Sequence, residues 1–520
     1  MNNADLPQPS ENPGAELARN YELTQMTDSA MAEMFGDTLK NTLAWTSGRG
    51  WLLYRTDGGF WESVSDVSAR DVLRREMDDY WKWLVVQPDF QLDNMKRLIV
   101  LADKRKIDRV FGLMAGVLEL RDELFDRDPW LLCVGNGVIS LRQAPSGTRP
   151  RLKPWLPTYY FTKHTSVDYV HDMHHPDWDK ALDAIPSDKE ALWFQSRIGQ
   201  AATGRMTPDH SIIFCTGGGS NGKSTLLQSV RKALGTYAVV VPENVLTADP
   251  SSHPTELTTL LGARLALIEE LPEGKFLPSK RIKDLAGTSR ITARRLYKDF
   301  IEWDATHTLF VTSNYRPLVS ETDEGTWRRL VQLTFPMRFI GAHKAITQQN
   351  EVHGDSALPE RLLWGKEQQQ AVLSWIVDGA VYCQNLFSEL PDRVDAETTE
   401  WRNDSDVIRG FILERCELDP DGMVSSQELF QEFKWYMDAR GHRGWTEATF
   451  AGRLSEHPTF KPEGVEKMRT RKTSAISRPG AYDPFPDGKQ QQVWKGLRFR
   501  SVPATAVPVQ GVQGLSKLFS

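Results

Sequence analysis

Cysteine is scarce in this chain: there are four in 520 residues, Cys133, Cys215, Cys383 and Cys416, with no paired spacing. That argues against a disulfide framework and against a zinc finger or ribbon, and it suits a reducing cytoplasm. Long apolar runs are also missing. No stretch approaches the roughly 18 uninterrupted apolar residues of a membrane helix, so neither a span nor a membrane partner is expected. The opening "MNNADLPQPSENPGAELARN" has no basic region followed by an apolar run, which argues against a secretory signal. Excess positive charge is absent too: 63 Lys and Arg stand against 69 Asp and Glu, a formal net charge of -6. The chain is not a global polycation, and any attraction to phosphate must come from a local basic stripe. No internal repeat is visible, and the 17 Trp are scattered like core and interface anchors. In "HDMHHPDW", His171, His174 and His175 have no matching carboxylate or Cys pattern beside them, and they read as a solvated loop.

What is present divides the chain. At 520 residues it is too long for one core. Residues 1–20 have the polar composition of a disordered tail. Residues 21–190 show mostly helical apolar spacing and are expected to form a mainly helical domain. Two β regions interrupt it: "GWLLYRTDGGFWESV", where "DGG" between strand-like runs predicts a hairpin, and "WLLCVGNGVISLR". Residues 191–385 alternate helices with the apolar strands "SIIFC", "ARLALI", "HTLFVTS" and "RLVQLTF". Continuous apolar strands imply a sheet buried on both faces, hence an α/β core. A polar, acidic linker over 386–405 leads to a module of helices and short strands over 406–500, and 501–520 read as a tail.

The core opens on "SIIFCTGGGSNGKSTLLQSV". An apolar strand, a glycine-rich loop and a helix follow one another, and the loop fits G-x-x-x-x-G-K-S as Gly217, Gly222, Lys223 and Ser224. Glycines let successive backbone N–H groups face phosphate oxygens. The nucleotide-binding set is Gly217, Gly218, Gly219, Ser220, Asn221, Gly222, Lys223, Ser224 and Thr225. Lys223 is expected on the β- and γ-phosphates of ATP and Ser224 on Mg²⁺. The strand "ARLALIEE" ends in two acids; Glu270 is the expected base for the attacking water and Glu269 belongs to the metal shell. Asn314, ending "HTLFVTSN", can orient that water and sense the γ-phosphate, or simply make the turn before "YRP". Arg328 and Arg329 precede the next strand; one of them is an arginine finger for a neighbouring site, or the two are a surface charge pair. Between the acids and Asn314, "SKRIKDLAGTSRITARRLYKDFIEW" interleaves base with Tyr297 and Phe300. That suits a nucleic-acid backbone with base stacking, or a solvated charged face.

Taken together, the P-loop, "EELPEGKFLPSKRIKDLAGTSRITARRLY", "FVTSNYRP" and "DEGTWRRLVQLTFP" resemble the superfamily 3 helicases. These are AAA+ ring motors of viral and plasmid replication, and the likeness is to the phage/plasmid primase-helicase branch with its poxvirus-type members. The resemblance implies an AAA+ P-loop core and a projecting hairpin that holds single-stranded DNA. Arg294, Arg295 and Lys298 are then DNA contacts, and Lys283 serves either DNA or the ATP site. The family's Gly-Gly-Asp is Gly287, Thr288 and Ser289 here, a departure. The upstream helical region and the closing "QQVWKGLRF" also resemble the branch.

The module over 406–500 has helices in a helix-turn-helix-like order followed by the basic "KMRTRKTSAISR". It reads as a winged-helix-like DNA-binding domain, or as a protein-interaction or ring-packing domain. The expected whole is an ATP-dependent DNA helicase, a hexameric homo-oligomeric ring on single-stranded or forked DNA, with 3′-to-5′ travel implied by the resemblance. Its setting would be a bacterial host's cytoplasm if phage-encoded, with a separate primase or polymerase as partner. An initiator or loader ATPase without processive unwinding, and a bifunctional primase-helicase, are the alternatives.

Overall fold

The computed structural model describes residues 26–88, 90–91, 94–142, 150–248, 254–294, 300–319, 323–382, 389–440, 444–479 and 488–500. The two expected tails, Cys383, and the candidate DNA contacts Arg295 and Lys298 lie outside the described residues. The described residues fall into two compact units. One takes those within Met1–Glu273, Arg281–Arg316 and Arg328–Asp395; the other takes those within Gly274–Lys280, Pro317–Trp327 and Ala396–Ser520.

The first unit begins with α1 (Asp28–Leu39), then β1 (Leu43–Thr46), β2 (Gly50–Arg55) and β3 (Phe60–Ser63), then α2 (Asp66–Val85), α3 (Met95–Leu101) and α4 (Lys104–Val117). The "DGG" hairpin is β2 and β3, paired from Arg55↔Phe60 to Leu52↔Ser63, and β1 adds a third antiparallel strand. In α4, Ile107, Val110, Phe111 and Met114 are buried, the one-face spacing of an amphipathic helix. They share a core with Met31 and Phe35 of α1 and Leu73, Met77 and Trp81 of α2. A second hairpin, β4 (Leu131–Val134) with β5 (Gly137–Ser140), puts Leu132, Val134 and Ile139 into the core of the central sheet.

Next come α5 (Pro176–Leu182), α6 (Asp188–Ala202), β6 (Ile212–Thr216), α7 (Lys223–Leu234), β7 (Ala238–Val240), β8 (Leu265–Ile268) and α8 (Ser279–Gly287). The antiparallel pair β9 (Arg290–Arg294) and β10 (Phe300–Asp304) precedes β11 (Thr308–Ser313) and β12 (Leu330–Thr334). Five strands form one sheet in the order β12-β6-β11-β8-β7, with every pairing parallel. Every residue of β6, β8 and β11 is buried, as a sheet covered by helices on both faces requires. Each Ile, Leu or Phe buried there contributes about 1.5–3 kcal/mol. The covering side chains include Trp178 of α5, Phe194 and Ile198 of α6 and Leu226 and Val230 of α7. Later in the chain lie β13 (Arg338–Ile340), β14 (Glu351–His353), α9 (Leu358–Trp364) and α10 (Lys366–Tyr382), whose Val372, Leu373 and Ile376 join the same core. Because all five strands are parallel, their C-terminal ends share one edge, where an α/β sheet presents its binding crevice.

Part of the expected linker is a helix, α11 (Asp392–Ser405), with Val394 and Trp401 buried. Its acidic, polar sequence hides the two apolar anchors that fold it. The second unit continues with α12 (Val407–Arg415), β15 (Cys416–Ser425), α13 (Ser426–Ala439), α14 (Glu447–Ser455), β16 (Glu466–Thr470), β17 (Ile476–Ser477) and β18 (Gln491–Phe499). Its sheet runs β16-β18-β15-β17 and packs Val424 and Trp494 against Phe411, Phe433 and Phe450. Among the described residues, no helix is long and apolar enough to cross a membrane.

Candidate functional site

The glycine-rich loop joins the C-terminal end of β6 to the N-terminus of α7. Its shape is a backbone property. Gly222, the N-cap of α7, has φ 86°, and a Cβ there would lie 2.6 Å from Ala184 Cβ and 3.2 Å from the Phe339 ring. Both the left-handed turn and the tight fit demand glycine. Gly218 and Gly219 have nothing within 4 Å of a Cβ position, so this part of the loop is open. The loop is braced from the segment after β12: the Phe339 N–H donates to Ser220 O at 2.7 Å, and Asn221 Nδ2 donates to Phe335 O at 3.4 Å.

Lys223 is buried, and its Nζ donates to Gly217 O at 2.5 Å and to Asn314 Oδ1 at 3.4 Å. Desolvation pulls the pKa of this ammonium below its ordinary value. Asn314 follows β11, the strand lying between β6 and β8, so its amide stands between the loop and the acidic pair. Beneath the loop, burial pushes the Cys215 thiol up to about 12, which leaves it an inert core group.

Glu269 and Glu270 follow β8 at the same edge, and both are exposed. Glu270 has φ 55°, and its N–H donates to Thr312 Oγ1 at 3.1 Å. This non-glycine residue in the left-handed region is backbone strain held beside the loop. Ser224, Glu269 and Glu270 line one cleft of about 620 Å³ together with Gln228, Glu243 and Thr312. The hydroxyl, the two carboxylates and the open glycines therefore fit a phosphate chain with Mg²⁺. Sequence reasoning missed Gln228, Glu243 and Thr312; only Gln228 had a readable signal, one helical turn after Ser224.

Arg328 and Arg329 stand elsewhere. They precede β12, whose Leu330 pairs with Ile212 and whose Thr334 pairs with Thr216. The arginines therefore sit at the N-terminal edge of the sheet and the glycine-rich loop at the C-terminal edge, roughly 15 Å apart at about 3.3 Å per strand residue. The two differ in setting. Arg328 is exposed, whereas the Arg329 guanidinium packs over Gly287 at the end of α8, 2.7 Å from where a Cβ would stand. Arg329 O also accepts from Ile212 N–H at 2.7 Å.

The basic segment splits between two elements. Lys283 lies on α8, half-buried, while Arg294 ends β9 and is exposed. On the solvent side of the β9–β10 pair, Arg290 is held by Glu302 at 3.5 Å and Asp304 at 3.6 Å. At the other end, the Arg294 guanidinium lies 5.6 Å from the centre of the Phe300 ring, which is 64% exposed. Base at the root of the hairpin is thus neutralised locally, while the end toward the 295–299 segment pairs a cation with an open aromatic. The loop histidines are not gathered. His175 caps α5 by accepting from Asp177 N–H, and His171 meets the Tyr169 hydroxyl at 3.3 Å.

Comparison with known proteins adds kinship. Residues 29–186 match the family described as D5 N terminal like, and residues 215–329 match a family of unknown function, DUF5906. "Putative primase C962R" of African swine fever virus (isolate Tick/Malawi/Lil 20-1/1983) is 25% identical over 407 residues, 69% of this chain and 40% of the relative. "Putative helicase 022R" of Frog virus 3 is 25% identical over 252 residues, 46% of this chain and 25% of the relative. "Putative helicase L207/L206" of Acanthamoeba polyphaga mimivirus is 28% identical over 270 residues, 49% of this chain and 28% of the relative. These matches support a primase-helicase family. The chain spans about 40% of the length of the swine fever virus relative. The second family match contains the glycine-rich loop from Thr216 onward, the acidic pair, the hairpin, Asn314 and both arginines. Among solved structures, the apo NrS-1 C terminal region (305-718) covers 87% of this chain and 95% of its own, at 9% identity and a TM-score of 0.39. At that score the likeness carries no weight for the site.

Proposed function

We propose that this chain is an ATP-dependent DNA helicase of the superfamily 3 (AAA+) type, working as a homo-oligomeric, hexameric ring on single-stranded or forked DNA in replication. The observation that carries the proposal is the placement of Lys223, Ser224, Glu269, Glu270 and Asn314 at one edge of the sheet and of Arg328 at the other. At the C-terminal edge, Gly217–Thr225 would cradle the phosphates of ATP with backbone N–H groups and Lys223 would neutralise them. Ser224 and Glu269 would hold Mg²⁺, which when bound supplies positive charge to the phosphate oxygens. Glu270 would accept the proton of the attacking water, and Asn314 would orient that water. The charge developing on the transferred phosphoryl needs one more cation. Arg328, at the far edge, is too distant to supply it in its own chain and well exposed to supply it to a neighbour.

A site shared in this way couples hydrolysis to motion between subunits. The β9–β10 hairpin would be the moving element on single-stranded DNA, with Arg294, Arg295 and Lys298 on phosphates and Phe300 on a base. The order α12, β15, α13, α14, β16, β18 supports a winged-helix-like reading of the C-terminal unit. Travel from 3′ to 5′ follows from the resemblance to superfamily 3.

Replacing Lys223 by Ala is expected to abolish ATP hydrolysis and forked-strand displacement while leaving DNA binding largely intact. Unimpaired displacement by Lys223→Ala would remove the motor from the proposal. ATP hydrolysis by the unaltered chain without displacement would favour the loader.

A further inference from the structure

The C-terminal unit carries a second charged surface whose chemistry differs from that of the β9–β10 hairpin. Lys467 and Arg469 on β16, and Arg471 and Lys472 just beyond it, are exposed. Lys489, two residues before β18, is exposed as well; because Thr470 pairs with Gln491, it comes to the same end of the strand pair as Arg471 and Lys472. Among the described residues, none of these five forms an ion pair. The exposed Glu466, also on β16, is the cross-strand partner of a sixth cation, Lys495. β16 is an edge strand, and Lys467 and Arg469 share one of its faces, with Lys467 Nζ 5.9 Å from the centre of the Trp494 ring.

In a helix-turn-helix arrangement, the helix expected to read bases would be α14. Its exposed positions are Glu447, Ala448 and Gly452, and its one arginine, Arg453, lies against the Trp445 ring at 4.2 Å. That face offers a carboxylate where phosphates would approach and no side chain of the kind that forks onto a base edge. Among the described residues, the basic edge offers no exposed aromatic ring to stack a base upon. Trp494 and Phe499 of β18 are 1% and 5% exposed. Single-strand binders need aromatic platforms, whereas a duplex hides its bases and presents phosphates.

From this contrast we infer that the C-terminal unit grips duplex DNA by its phosphates, through the β16–β18 edge and not through α14, and does so without regard to sequence. The inference rests on the reading of the chain as a DNA-handling motor. It assigns the two strand pairs different partners: single strand to the one bearing Phe300, duplex to the one whose described residues bear exposed cations and no exposed aromatic ring.

The test measures anisotropy of two labelled probes, a blunt 20-base-pair duplex and a dT20 strand, with the full chain over a salt series. Four phosphate contacts change the slope of log K on log salt by about 3.6, so duplex affinity of the unaltered chain falls about 100-fold more between 50 and 200 mM salt than that of the combined K467Q/R469Q/R471Q/K472Q variant. That variant keeps its dT20 affinity, and Ala448→Glu keeps duplex affinity within about twofold, as a face making no phosphate contact requires. Phe300→Ala weakens dT20 binding and spares the duplex. Should the combined variant melt early, Arg471→Gln with Lys472→Gln, beyond the strand, carries the test with half the slope change. An unchanged salt slope overturns the inference. So does loss of duplex binding in Ala448→Glu, or equal loss of both probes by a folded variant. Binding of dT20 but not duplex by the unaltered chain overturns it and leaves the motor standing; binding of neither overturns both.

Discussion

Arg328 and Arg329 are neighbours with different settings, and the difference predicts different consequences for their substitution. Arg329 covers Gly287 and is half-buried; Arg328 is exposed at the edge opposite the glycine-rich loop. Arg328→Ala is expected to lower ATP turnover by about 10³-fold with little change in melting temperature, the scale of a lost arginine finger. Arg329→Ala is expected to act first on stability. A turnover assay beside a melting curve separates the two, and equal effects on turnover would contradict the assignment. Asn314 invites a similar test. Its Oδ1 is 3.4 Å from Lys223 Nζ, so Asn314→Ala is expected to cost about 10²-fold in turnover, as loss of a polar group at a charged transition state does. Nucleotide affinity should be kept. If Asn314 serves only the turn before Tyr315, turnover stays and stability alone falls.

At the scale of elements, what sequence made legible depended on how local the encoding is. The glycine-rich loop was readable because Gly217 and Gly222 answer a local demand, positive φ at both; the close packing of Gly222 on Ala184 and Phe339 comes from distant sequence. β6, β8, β11 and β12 were readable because continuous apolar runs have one simple explanation in a covered parallel sheet. β7 was missed because three residues make no pattern. α11 was missed because Val394 and Trp401 are sparse anchors in an acidic stretch. The exposure of Phe300 and the local neutralisation of Arg290 depend on cross-strand register, which composition does not carry.

His307, just before β11, is a buried group of the same hidden kind. Its Nε2–H donates to Leu285 O at 3.2 Å, and burial lowers its pKa to about 4. The folded chain favours the neutral ring, so protons bind preferentially to the unfolded chain below about pH 6.5. Stability from this group is complete above that pH and is lost as pH falls toward 4, by about 2–3 kcal/mol at pH 4.5. His307→Gln keeps an N–H donor without titrating. Denaturant unfolding at pH 7 and 4.5 should show the unaltered chain losing that much more than the variant; parallel losses would contradict it.

For the whole molecule, the proposed function requires Lys223 of one subunit and Arg328 of another to meet at one site. Rotational assemblies with head-to-tail interfaces bring the far edge of one subunit to the near edge of the next, which is the arrangement the proposed shared site would need. The most direct measurement mixes two inactive chains, Lys223→Ala and Arg328→Ala, in equal amounts and follows ATP hydrolysis. About a quarter of all interfaces then join an intact Arg328 to an intact Lys223, and turnover is expected to recover toward a quarter of the full value. A mixture no more active than its separate components, while still assembled, would contradict a shared site.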